Sequence, residues 1–297
     1  MCKREPGEPL GTRAVVRAGR CVRSPPVALR RVVPDRALAR LARRAESVGG
    51  GSVRHLVASV ASAYAAPIPA GADPEPIVRA LAAWCGSDRV SLEAPPLPPP
   101  SFAPSPAPAL SSRPGVPPGV PPADGSGVAF VDLEWGFAEH EALPPIEVSC
   151  GVSRGWWWHG TAVFGVIVGQ NERARGIAPR ARARFASPWA ADGRYEVAAA
   201  ITVAAASLEP GDVLLLEVQG RSHGGAAPAE VDPVVRDVIA LARLAGVLTV
   251  EAAGNGGQSL DGTPVGAAGA LVVGAIDPDT GSRHPRSGWG DAVTACG

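Results

Sequence analysis

DVLLLEV at residues 212–218 and VVRDVIALARLAGVLTVEAA at residues 234–253 decide the fold. The first is an unbroken apolar run of strand length, as expected of a strand buried on both faces. In the second, apolar residues recur at helical spacing from Val234 to Ala245. Gly246 then stops the helix, and Val247 to Ala253 makes another buried strand. The same alternation extends outward. Val128-Ala129-Phe130-Val131 is a short apolar run between Gly127 and Asp132. His159 to Val168 reads as a helix with Val163, Phe164, Ile167 and Val168 inward, and Glu196 to Leu208 as an Ala-rich helix. Ala270 to Ile276 is a further strand. Continuous apolar strands separated by helices predict an α/β fold, a parallel sheet with helices on both faces, over residues 128–297.

Two other zones precede it. Residues 95–127 are rich in Pro, Ser, Ala and Gly, and read as a semi-stiff linker. A docking tract for a Pro-binding domain is the alternative. Residues 1–94 are Arg- and Ala-rich. There Val53, Leu56, Val57, Val60 and Tyr64 share one helical face, Ile77, Leu81 and Trp84 share another, and Val90 to Glu93 is strand-like. A small helical or α/β accessory or pro-segment-like region is expected, with an intramolecular contact to the larger domain.

Composition narrows the partners. The 28 basic and 28 acidic residues balance, giving no reason to expect nucleic acid or an anionic membrane surface. No run of 18 apolar residues occurs, so no membrane span is expected. Lys3 is the only lysine, a skew that reads as coding bias. The five cysteines, Cys2, Cys21, Cys85, Cys150 and Cys296, form no C-x-x-C pair, so scattered thiols are expected and not a zinc site. No carboxylate cluster shows calcium-ligand spacing, and no cofactor or metal is expected. The N-terminus lacks a secretory signal; Leu56 to Ala66 would serve as one only if the true start lay later than Met1. The compartment stays unassigned.

In parallel sheets the active groups sit at the carboxyl ends of strands. Asp132 stands at such an end, although a turn or helix-cap aspartate would look the same. His159 opens a helix in WHGTAVFG, residues 158–165, and Asn255 follows a buried strand in AAGN, residues 252–255. In that order, and with GIAP at 176–179, VVGA at 272–275 and SGWG at 287–290, these stretches resemble the subtilisin-like serine proteases. The resemblance covers about residues 127–297. It implies peptide-bond hydrolysis by acyl transfer, on a peptide or protein substrate. His159 would be the base, Asp132 its orienting acid and Asn255 the oxyanion donor. His140 and Thr161 match structural positions of the family, which is often exported.

Two departures stand out. The family's nucleophile lies in a Gly-Thr-Ser-x-Ala segment, and no such segment occurs here. No residue is therefore assigned as nucleophile, and the domain is expected to be incomplete at its C-terminal end, with apolar surface uncovered. In addition, Glu217-Val218-Gln219-Gly220 stands where the family has a Ser-x-Gly substrate strand. Three readings follow: a serine endopeptidase whose sequence is incomplete, an inactive relative acting as a binding or regulatory module, and a Pro-rich interaction protein.

Overall fold

The computed structural model describes residues 13–17, 27, 29–48, 53–68, 72–86, 90–93, 124–134, 136, 139–153, 157–172, 174–222, 225–277 and 279–297. The expected linker over residues 95–127 lies outside them, apart from residues 124–127.

The N-terminal unit holds an antiparallel sheet of β1 (Arg13–Arg17), β2 (Arg30–Arg31), β3 (Ala63–Pro67) and β4 (Val90–Glu93), in the order β2-β3-β1-β4. Three helices accompany it: α1 (Asp35–Val48), α2 (Val53–Ala61) and α3 (Glu75–Cys85). Leu38, Leu41, Ala42 and Ala45 form the buried stripe of α1, at the spacing of one helical face. The helical face expected through Tyr64 ends sooner. After a turn at Ser62 the chain enters β3, and Tyr64 pairs with Val16 and Arg31. Partners on two neighbouring strands override the local period there.

The larger unit is built on a sheet of β5 (Ala129–Asp132), β6 (Glu147–Cys150), β7 (Arg182–Ala186), β8 (Val213–Leu216), β11 (Leu248–Ala252), β12 (Leu271–Gly274) and β13 (Val293–Cys296). Its order is β13-β12-β11-β8-β5-β7-β6, and every neighbouring pair is parallel. A hairpin of β9 (Gln219–Ser222) and β10 (Gly225–Pro228) stands outside this sheet. The helices are α4 (Trp157–Val168), α5 (Val197–Ser207) and α6 (Pro233–Leu244). The architecture is α/β, as expected.

Alternation along β5 sorts the two faces. Ala129, Val131 and Leu133 join the core under α5 and α6, and Phe130 meets Phe164 and Val168 of α4 on the other side. At the start of α6, the Asp232 carboxylate accepts from the Val234 and Val235 amides with Pro233 at the first helical position. After the helix, Gly246 takes φ +82°, the left-handed conformation its lack of a Cβ allows.

The N-terminal unit packs on this domain. Helices α1 and α2 lie against α5 and α6, and one core includes Leu41, Val53 and Val60 together with Ile201, Val235 and Ile239. Arg17 pairs with Asp237 at 3.0 Å, and Arg44 with Glu209 at 2.8 Å. Cys85, Cys150 and Cys296 are not disulfide-bonded, and among the described residues no helix is long and apolar enough to cross a membrane.

Candidate active site

His159 stands in the first turn of α4, with Gly160 buried behind it. Its Nδ1 lies 2.6 Å from Oε2 of Glu134, a hydrogen bond, and 3.3 Å from Oε2 of Glu217. Asp132, the acid expected from the sequence, does not hold the ring: Glu134 does. The ladder explains why. Asp132 lies within β5, in register with Leu215 on one side and Phe185 on the other. The pairing runs one residue further, since the Leu133 amide donates to the Leu215 carbonyl at 3.0 Å. The rim of the sheet is therefore reached at Glu134, whose side chain is also one methylene longer. Asp132 stays fully buried, and neither of its carboxylate oxygens has a hydrogen-bond partner.

Three titratable groups, Glu134, His159 and Glu217, meet at this rim, and Asp132 lies buried beneath it. Burial alone would lower the His159 pKa; the hydrogen bond and charge of Glu134, with the charge of Glu217, outweigh it, and the net shift is upward. Burial pushes Glu217 up to about 7, and Glu134 adds to this while His159 opposes it. Asp132 is raised well above the usual carboxylate range, first by burial and then by the charges of Glu217 and Glu134. A raised pKa favours the neutral form of the carboxyl, which costs less to bury than the charged one.

Glu134, His159 and Glu217 each offer a donor atom within 4.8 Å of the others. Ligands about 2.0–2.2 Å from a tetrahedral divalent ion stand roughly 3.3 Å from one another. The 2.6 Å edge between Nδ1 and Oε2 is instead the length of a charge-assisted hydrogen bond, and the cluster reads as holding a proton.

Asn255 follows β11 at the same end of the sheet. Its backbone N–H and its Nδ2 both donate to Oε1 of Gln219, at 2.9 and 3.1 Å. The β9–β10 hairpin lies over this loop: a Cβ on Gly254, which has φ +82°, would stand 2.8 Å from the Ala227 Cα. The departure at Glu217-Val218-Gln219-Gly220 thus touches both halves of the site. It also occupies one edge of β9, where Gln219 and Gly220 pair with Pro228 and Ala227. His140 serves a turn, its Nδ1 accepting from the Ala142 amide at 3.1 Å, and Thr161 Oγ1 donates to the Trp157 carbonyl. Among the described residues, no serine hydroxyl is hydrogen-bonded to His159. Period two along the strand was the one sequence signal for Glu134, since it places residues 132 and 134 on one face.

No family model and no curated protein matches the chain. In structure it is similar to subtilisin-like serine proteases. A cold-adapted subtilisin-like serine proteinase shares 20% identity at a TM-score of 0.48, over 59% of this chain and 63% of that one. The patellamide maturation protease PatA shares 26% identity at 0.44, over 56% and 62%. The prenylagaramide maturation protease PagA shares 24% at 0.44, over 57% and 61%. The chain spans less than two thirds of the length of each of these structures.

Proposed function

We propose that residues 124–297 carry the acid–base and oxyanion groups of a serine endopeptidase site, with Glu134 in place of Asp132 as the acid partner of His159. The observation that carries this reading is the 2.6 Å bond between Glu134 and His159 at the carboxyl end of β5. A carboxylate on Nδ1 keeps the proton there, which leaves the Nε2 lone pair to accept a proton from a hydroxyl nucleophile. The imidazolium that forms is stabilised by the Glu134 charge. Asn255 Nδ2 then donates to the oxyanion of the tetrahedral intermediate, a contribution of about 3–4 kcal/mol at the transition state. The substrate is a peptide or protein. The nucleophile belongs to a Gly-Thr-Ser-x-Ala segment, which this sequence does not contain. Residues 1–94 are an accessory or pro-segment-like region, whose helices α1 and α2 lie on α5 and α6.

A fluorophosphonate probe tests the assignment. The 297-residue chain is expected to remain unlabelled. A version of the chain to which a Gly-Thr-Ser-x-Ala segment has been added is expected to label, with the rate falling about 10²- to 10⁴-fold in Glu134→Gln and to background in His159→Ala. Loss of labelling in Asp132→Asn with full labelling in Glu134→Gln would return the acid role to Asp132. One observation favours an inactive binding module instead: both Asn255 donors already have an acceptor in Gln219. That module would bind peptide with no labelling in any form.

A further inference from the structure

We propose that Glu217 and Gln219 are a pair of positioning residues on one strand end, Glu217 holding the base His159 and Gln219 holding the oxyanion donor Asn255. The inference rests on the reading above and assigns the segment that departs from the resembled family. Its geometry begins in β8. Leu214 and Leu216 point into the core under α5 and α6, and so does Val218 beyond the strand. With side chains alternating along an extended chain, Glu217 and Gln219 are left together on the opposite side, facing the cleft. Glu217 places Oε2, which has no hydrogen-bond partner, 3.3 Å from His159 Nδ1, beside the 2.6 Å hydrogen bond to Glu134, so it acts on the ring through its charge. Two carboxylates thus flank the same ring nitrogen, which favours the tautomer with Nδ1 protonated and disfavours a flipped ring.

Gln219 performs the equivalent task on the amide. Its Oε1 accepts from the Asn255 backbone N–H and from Nδ2, so the NH₂ group of Asn255, and not its oxygen, is turned toward the cleft. An NH₂ group has two hydrogens. One is fixed by Gln219, and the second remains for an oxyanion. Neither Glu217 nor Gln219 touches the reacting atoms; each acts through the group it orients.

The test uses the 297-residue chain, with the His159 ring followed by NMR against pH and assigned by loss of its signals in His159→Ala. Glu217→Gln is expected to lower the His159 midpoint by about one pH unit. Glu217→Asp, which keeps the charge on a shorter arm, is expected to lower it less. Gln219→Ala is expected to speed hydrogen exchange of the Asn255 side-chain amide about tenfold, equivalent to about 1.4 kcal/mol of lost protection. A merely structural role would change the unfolding midpoint and leave these two readouts in place. An unmoved His159 midpoint in Glu217→Gln, or unchanged Asn255 exchange in Gln219→Ala, overturns the corresponding half. Glu134→Gln separates this inference from the reading beneath it. A midpoint that falls with Glu217→Gln and stays with Glu134→Gln defeats the Glu134 assignment alone, and the reverse defeats the Glu217 assignment alone.

Discussion

At the ring of His159 and in the adjoining core, several groups hold their protons to higher pH than they would in an unfolded chain. His159 is raised by its two glutamates, against the opposing effect of burial. Glu217 is pushed up to about 7, and Glu251 of β11, fully buried, to about 8. Burial is the largest cause at Glu251. Its Oε1 accepts from the Glu230 amide at 3.0 Å, and Oε2 has no partner. The nearby Glu230 carboxylate accepts from the Gly266 and Ala268 amides at 2.9 and 2.6 Å. A group with a raised folded pKa gives its full stabilisation below the unfolded pKa and loses it as pH rises through the folded one. For Glu217 and Glu251 that window runs from 4.5 to about 7 and about 8. The thermal midpoint is therefore expected to fall between pH 5 and pH 8. Glu251→Gln, uncharged at both ends of the range, should flatten that slope in circular dichroism melts. A midpoint that rises with pH would show that depressed carboxylates dominate instead.

Among the elements, the β9–β10 hairpin sets the shape of the loop that carries Asn255. Gly254 has a left-handed φ, and the hairpin leaves no room for a Cβ there. Gly254→Ala is expected to destabilise the chain by about 1–3 kcal/mol from backbone strain alone, measured by urea unfolding. It should also loosen Asn255, visible as faster exchange of its amide. The helices α4, α5 and α6 and the strands β5, β8, β11 and β12 were legible in sequence, because each is an apolar run or stripe with a clear stop. By contrast, β6 (EVSC) and β7 (RARFA) carry charges in place of an apolar run. They become strands because neighbours supply the ladder. The hairpin was hidden for the same reason: Gln219 to Ser222 and Gly225 to Pro228 have little β-propensity of their own.

On the scale of the whole chain, the N-terminal unit and the α/β domain share one core. Leu41 of α1 is fully buried in it, and Leu41→Ala is expected to cost about 2–5 kcal/mol. Because that core also contains Val235 and Ile239 of α6, the unaltered chain is expected to unfold in a single calorimetric transition. Two resolved transitions would show that the units fold separately. The ion pairs Arg17–Asp237 and Arg44–Glu209 are partly exposed and should each contribute no more than about 1 kcal/mol. Outside the core, Trp157, Trp158, Val166 and Ile177 form an exposed apolar surface on and beside α4. It lines a cavity of about 570 Å³. An apolar fluorescent dye is expected to bind there, and Val166→Glu should reduce the signal without lowering stability.

By itself the sequence determined the α/β class, the order of the strand–helix units, the place of His159 at the head of a helix and the place of Asn255 at a strand end. Those follow from periodicity and stop signals, which are local. Only the tertiary structure decided which carboxylate meets the imidazole. That choice depends on how far the β5–β8 ladder extends, and it extends past Asp132 through Leu133 to leave Glu134 at the rim. It likewise brought Glu217 to His159 and Gln219 to Asn255, contacts that join residues 58 and 36 positions apart in the chain. A local pattern states what a segment prefers to be; the distance between two side chains is settled where strands register and leave the sheet.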